Sequence, residues 1–237
     1  MASSGRRRVL LIGSSNVYGT GYLDHAETEI VRALADVSRV FFVPHALFDQ
    51  RAYVAKARSR FERMGFALDA ADEASDMRAA VRNAEAVFIG GGNTFRLLSA
   101  LYELDLLEPI RHRVAEGMPY VGSSAGAIVA GPSLGTTKDM PIVEPPSFDA
   151  LALVPFQLSP HYLDPDPTST HMGETQEERI GQFLEEHDRT VVGLREGAIL
   201  RVDGDGVTLT GVAGARIFRR GAPPLEASPP CRLDGLA

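Results

Sequence analysis

Pro119-Tyr120-Val121-Gly122-Ser123-Ser124-Ala125-Gly126-Ala127-Ile128-Val129-Ala130 joins an apolar run of strand character to a small-residue run that can start a helix, with Gly-x-Ser-x-Gly at the junction. A serine on so sharp a strand-to-helix turn has its hydroxyl pushed out at the end of a sheet, and the flanking glycines relieve the crowding of the turn. The helix that follows aims backbone N–H groups and the positive end of its dipole at the same point, where an oxyanion would be welcome. Ser124 therefore reads as a nucleophile. The short pattern alone fits a structural Gly/Ser turn equally well, so the surrounding chain has to decide.

Upstream, strand-like and helix-like segments alternate. Arg8 to Ile12 reads as a buried first strand, residues 25–36 carry helical spacing, and Arg39 to Val43 forms a second strand closed by Pro44. Asp49 can cap a helix through Met64, a short strand lies near Phe66 to Leu68, and Met77 to Val81 is a further short helix. Ala86-Val87-Phe88-Ile89 is followed at once by Gly90-Gly91-Gly92-Asn93-Thr94, with Asn93 or Thr94 capping the next helix, and a helix from Leu106 to Glu116 leads to the Ser124 turn. Such alternation predicts an α/β fold, a mostly parallel central sheet with helices on both faces. Ligands bind such sheets at the carboxyl edge of the strands. The triple glycine there lets backbone approach a bound group, and amides of Gly91 or Gly92 with that of Ala125 are candidate oxyanion donors; a purely structural turn is the alternative. The first strand's exit loop, Gly13 to Asn16, lacks both Gly-x-Gly-x-x-Gly and a P-loop lysine.

Downstream the periodicity lapses from Gly131 to Ser147, a long loop of the kind that shapes pockets. Leu151 to Leu158 is apolar enough for a strand and delivers Ser159-Pro160-His161. A histidine at a strand exit, fixed by a preceding proline, is well placed as a general base. His25, His112 and His187 read as solvated imidazoles on helix surfaces. Asp164, Asp166 and His171 lie near His161, but their spacing matches no familiar metal-ligand pattern, so no metal is expected. A helix starting at Glu174 or Thr175 precedes a strand ending at Leu194, and Glu196 just beyond it can orient an imidazole. Short strands turn at Asp203-Gly204-Asp205-Gly206, with another at Ala215 to Phe218. Residues 1–221 are thus expected to form one α/β domain, and the Pro-rich residues 222–237 a loosely ordered tail.

The 237 residues suit a single core, and no apolar run reaches membrane-spanning length. A formal net charge of −7 argues against a general nucleic-acid binder. The lone Cys231 forbids an internal disulfide and, with no signal-like start, fits a cytoplasmic location without membrane association.

Gly90 to Phe95, Gly122 to Ala127, Thr136-Thr137-Lys138-Asp139-Met140-Pro141, Ser159-Pro160-His161, Gly173 to Ile180 and Gly193 to Gly197 resemble, in the same order, the motif series of the peptidase E family of S51 serine peptidases. The resemblance spans residues 8 to 202 and implies a class I glutamine-amidotransferase-like fold with a Ser-His-Glu triad acting on dipeptides that begin with aspartate. On it, Ser124 matches the nucleophile, His161 the base, Glu196 the acidic member and Asp139 a further aspartate linked to activity. Lys138 and Gln176 depart from the asparagine and arginine usual in the family, which bears on strict aspartate preference. A substrate carboxylate needs a cationic partner. Arg179 is the first candidate and Lys138 the second, with Asp139 or Glu174 for the free amine. No cofactor is implied. The partner implied is a small peptide, a homodimer is an open assembly, and the competing readings are a cyanophycinase-like hydrolase of β-Asp-Arg peptides and an inactive binding homologue.

Overall fold

The computed structural model describes residues 6–74, 76–170 and 172–236. In chain order its first half alternates β1 (Arg8–Ile12), α1 (Glu27–Ala33), β2 (Arg39–Val43), α2 (Gln50–Arg63), β3 (Ala67–Ala70), α3 (Met77–Asn83), β4 (Ala86–Ile89), α4 (Thr94–Glu103), α5 (Leu107–Ala115), β5 (Tyr120–Ser123) and α6 (Ala125–Ala130). The second half holds β6 (Gln157–Pro160), α7 (Gln176–Glu186), β7 (Val191–Leu194), β8 (Ala198–Asp203), β9 (Gly206–Gly211), β10 (Ala215–Phe218), β11 (Leu225–Ala227) and β12 (Cys231–Arg232).

An eight-stranded sheet runs β12-β9-β8-β1-β5-β4-β2-β3. The five strands of the first half pair in parallel, while β8, β9 and β12 extend the sheet antiparallel beyond β1. Side chains alternate across β1: Val9 and Leu11 enter a core shared with α4, α5 and α6, whereas Leu10 and Ile12 enter one shared with α1 and α2. Both faces are therefore covered by helices, which is why the parallel strands are apolar at nearly every position. Each large side chain buried this way, Phe88 at 0% exposure among them, contributes about 1.5–3 kcal/mol.

A second, four-stranded sheet, β11-β10-β7-β6, packs its apolar side onto the first core through Leu158, Val192, Leu194 and Ile217. Its other side is covered by α7 through Ile180 and Leu184, with Tyr162 and Phe218. Thr175 starts α7 with a reciprocal cap, its hydroxyl accepting from the Glu178 amide while the Glu178 carboxylate accepts from the Thr175 N–H.

Three expectations are corrected. The strand expected over residues 151–158 is confined to Gln157–Pro160, because the amides of Leu151 and Leu153 are drawn to the carbonyls that end α6, at Val129 and Ala130. The first helix is shorter than residues 25–36, opening with a 3-10 turn at Asp24–Ala26 and spanning Glu27–Ala33. The tail beyond residue 221 is not loosely ordered over its described length: β11 pairs with β10 and β12 with β9, and Leu233 and Leu236 are buried. Pairing to an exposed sheet edge needs backbone groups and little side-chain periodicity, so the prolines concealed it. Among the described residues no helix is long and apolar enough to cross a membrane.

Candidate active site

The carboxyl ends of β1, β4 and β5 meet at one edge, where Ile12 stands beside Ser123 and Ile89 beside Gly122. Ser124 sits at φ 52°, ψ −109°, between β5 and α6, its amide donating to the Ile12 carbonyl at 2.9 Å. That left-handed backbone is costly for a residue with a Cβ and is held by the packing around it. Gly126 shows how tight the turn is, since a Cβ there would stand 2.0 Å from the Ile89 carbonyl oxygen. Gly91 lies against Ser124, and Gly92 adopts φ 141° where any side chain would strike the Ala46 carbonyl. The Ala125 N–H opens α6 and has no carbonyl within the helix to bond, leaving it available to a bound oxygen.

The small sheet supplies the rest. β6 and β7 run parallel with Pro160 beside Leu194, so residues 161 and 196 leave the same edge. The Ser124 hydroxyl lies 3.0 Å from His161 Nε2, and His161 Nδ1 lies 2.9 Å from Glu196 Oε1. His161 is itself left-handed at φ 51°. Glu196 is fixed through its neighbour Arg195, whose guanidinium donates to both oxygens of Asp164, at 2.8 and 2.7 Å, and to both of Glu226, at 2.6 and 2.9 Å. Those hydrogen bonds hold the Asp164 carboxyl below its ordinary range. Asp164 is thus committed to Arg195 rather than free as a metal ligand; His171 lies outside the described residues. Glu226 belongs to β11, so the C-terminal segment braces the acidic end of the site.

Asp139 does not orient the imidazole, a place Glu196 occupies. Its Oδ2 accepts instead from the Thr94 amide at 2.7 Å and the Thr94 hydroxyl at 2.6 Å, at the first turn of α4, while Asn93 donates to the Met140 carbonyl. Lys138, expected as a second substrate cation, is not among the described residues lining the cleft over Ser124. Its Nζ donates to the carbonyls of Pro160 at 2.5 Å and His161 at 3.0 Å and to Gln176 Oε1 at 3.0 Å. Loop 136–140 thereby fastens the glycine loop of one sheet to the histidine of the other. Arg179 and Glu174, expected at the substrate, turn toward each other at 3.7 Å beside α7. Neither is among the residues lining the cleft at Ser124.

The Lys138 side chain is exposed as a whole, but desolvation at its Nζ, drawn in against the carbonyls of Pro160 and His161, pulls the ammonium down to about 8. The charged group offers three N–H donors to three acceptors, and the neutral amine only two. Loss of the proton as pH rises through about 8 leaves one acceptor short and slackens the His161 backbone. Lys138→Met is expected to lower kcat about tenfold, the loss of one charged hydrogen-bond clamp, with KM little changed. In a pH–rate profile the wild type should decline above about 8 and the variant should lack that limb. An unaltered profile in the variant would refute the clamp.

The cleft over Ser124 and His161 has a volume of about 500 Å³. Gly91, Gly92, Ser15, Asn16, Phe48 and Tyr53 are among its walls, with Tyr22 and Lys56. The sequence reading missed α2 as a wall, although Asp49, Ala52, Tyr53 and Lys56 repeat at i, i+3, i+4 and i+7 and all line the cleft. That spacing was the available signal. His25, expected to be solvated, is half-buried, and desolvation lowers its pKa.

The model for peptidase family S51 matches residues 9–210. Peptidase E of Streptomyces coelicolor is 53% identical over 218 residues, 92% of this chain and 90% of that protein. The Drosophila melanogaster protein named "Probable alpha-aspartyl dipeptidase" is 47% identical over 239 residues, 100% of this chain and 99% of its own. The crystal structure of a peptidase from an acI-B1 Actinobacterium superposes with a TM-score of 0.71 at 16% identity, covering 98% of each chain, and so shares the fold.

Proposed function

The chain belongs to peptidase family S51, and on that premise we propose that it is a serine-type dipeptidase releasing N-terminal aspartate from Asp-X dipeptides through a Ser124–His161–Glu196 triad and an acyl-enzyme. The observation that carries the reading is the unbroken relay from the Ser124 hydroxyl to His161 Nε2 at 3.0 Å and from Nδ1 to Glu196 at 2.9 Å. A hydroxyl is a poor nucleophile at neutral pH, so the imidazole takes its proton as the oxygen attacks the scissile carbonyl. The resulting oxyanion is met by the Ala125 amide and the backbone of Gly91 or Gly92, whose position against Ser124 favours that role. The imidazolium then protonates the leaving amine, the C–N bond breaks, and water activated by the same ring hydrolyses the ester. Glu196 holds the ring with Nδ1 protonated and stabilises its positive charge.

The names of the relatives, peptidase E and alpha-aspartyl dipeptidase, support aspartate at the first position of the substrate. The test is a dipeptide panel with a serine-directed phosphonate. Aspartate should be released from Asp-Leu well above Ala-Leu, and one phosphonate adduct should map to the peptide containing Ser124. If no Asp-X dipeptide is cleaved and no adduct forms, the reading is wrong.

A further inference from the structure

Resting on the peptidase reading above, we propose that Lys56 is the cationic anchor for a carboxylate of the substrate. A dipeptide beginning with aspartate brings its side-chain and C-terminal carboxylates into the cleft, and an unpaired carboxylate taken out of water is costly. The cations expected for this task are committed elsewhere, Lys138 to backbone carbonyls and Arg179 beside Glu174. Among the described residues lining the cleft that also holds Ser124, His161, Gly91 and Gly92, Lys56 is the one lysine or arginine. Its ammonium lies 4.4 Å from the centre of the Tyr22 ring, an attraction that keeps the long stem along the cleft wall. Tyr22 is in turn edge-on to Tyr53, their centroids 6.3 Å apart.

The anchor is built on fixed ground. One turn further along α2, buried Arg60 donates to the carbonyls of Tyr22 and Leu23 at 3.0 and 3.3 Å and pairs with Glu27 at 2.7 Å, holding the segment under the lysine. Asp49 opens the same helix and its carboxylate accepts from the Ala52 amide. The face of α2 toward the cleft thus presents a carboxylate at one end and an ammonium two turns on, a polarity suited to a zwitterionic peptide. Lys56 itself is exposed, so its replacement leaves the core untouched.

The experiment uses the full chain and three substrates: Asp-Leu, Asn-Leu, which lacks the side-chain carboxylate, and Asp-leucinamide, which lacks the terminal one. In the wild type, removing the anchored carboxylate should cost about 10- to 100-fold in kcat/KM, as expected of a charge-assisted hydrogen bond. In Lys56→Met that penalty should fall below about threefold, the coupling of a double-mutant cycle, and Lys56→Arg should restore part of it. Collapse of the Asp/Asn ratio assigns the side-chain carboxylate; collapse of the acid/amide ratio assigns the terminal one. Should Lys56→Met cleave Asp-Leu and keep both ratios at wild-type values, the proposal is overturned. If the wild type cleaves none of the three, the peptidase reading falls, and this proposal with it.

Discussion

Ser124→Ala is expected to lower kcat by at least about 10⁴-fold, with KM changed by less than about threefold. On the proposed mechanism the hydroxyl is the atom that forms the new bond, and neither neighbouring serine can replace it: Ser123 is wholly buried, and Ser15 is paired to it at 2.7 Å between the two hydroxyls. Whatever turnover survives would come from binding and the oxyanion donors alone. The variant should fold, since alanine fits the space of serine and the amide bond to Ile12 remains. A second substitution separates chemistry from strain. Ser124→Gly should be equally inactive yet more stable by about 1 kcal/mol, because glycine carries the positive φ of 52° without a Cβ. Steady-state kinetics and thermal unfolding of both variants check these outcomes. Retained turnover in Ser124→Ala would end the nucleophile assignment.

Glu196→Gln is the second large effect, expected at about 10²- to 10³-fold in kcat. The amide is nearly the shape of the carboxylate and can still meet Nδ1 at a distance like the present 2.9 Å. It removes the negative charge that stabilises the imidazolium, and when its NH₂ faces the ring it forces the proton onto Nε2, where it blocks attack by serine. Glu196 is 49% exposed, so solvent screens its charge and the loss should stay below that of a deeply buried triad acid. Phosphonate labelling of Ser124 should slow in parallel with turnover, because both reactions need the same proton removal. Slowed turnover with undiminished labelling would place Glu196 outside the nucleophile's activation.

How much of this was legible in the chain differs by element. β1, β2, β4 and β5 were readable because strands buried on both faces are continuous apolar runs, and the caps of α2 and α4 because Asp49 and Asn93 stand where first-turn amides need acceptors. The turn at Ser124 was readable because only Gly126 permits the approach to Ile89. Residues 151–156 misled because they are as apolar as a strand, yet their amides answer the end of α6. Asp139 and Lys138 misled because a charged residue in a loop carries no record of its partner. The C-terminal segment misled because edge pairing leaves almost no periodic trace.

The amino-acid sequence alone determined the alternating α/β order and the serine turn, and marked His161 and Glu196 as candidates at their strand exits, with Asp139 as a second candidate for the acidic place. Local burial and turn chemistry are written in neighbouring residues, and those suffice. Only the tertiary structure decided that the Ser124 hydroxyl and the His161 imidazole meet from two different sheets, that Lys138 clamps backbone instead of facing the cleft, and that Glu226 reaches back to brace Arg195 beside Glu196. These pairings join residues far apart in the chain, and the packing of one sheet against the other selects them through distance and dielectric, which no local pattern encodes.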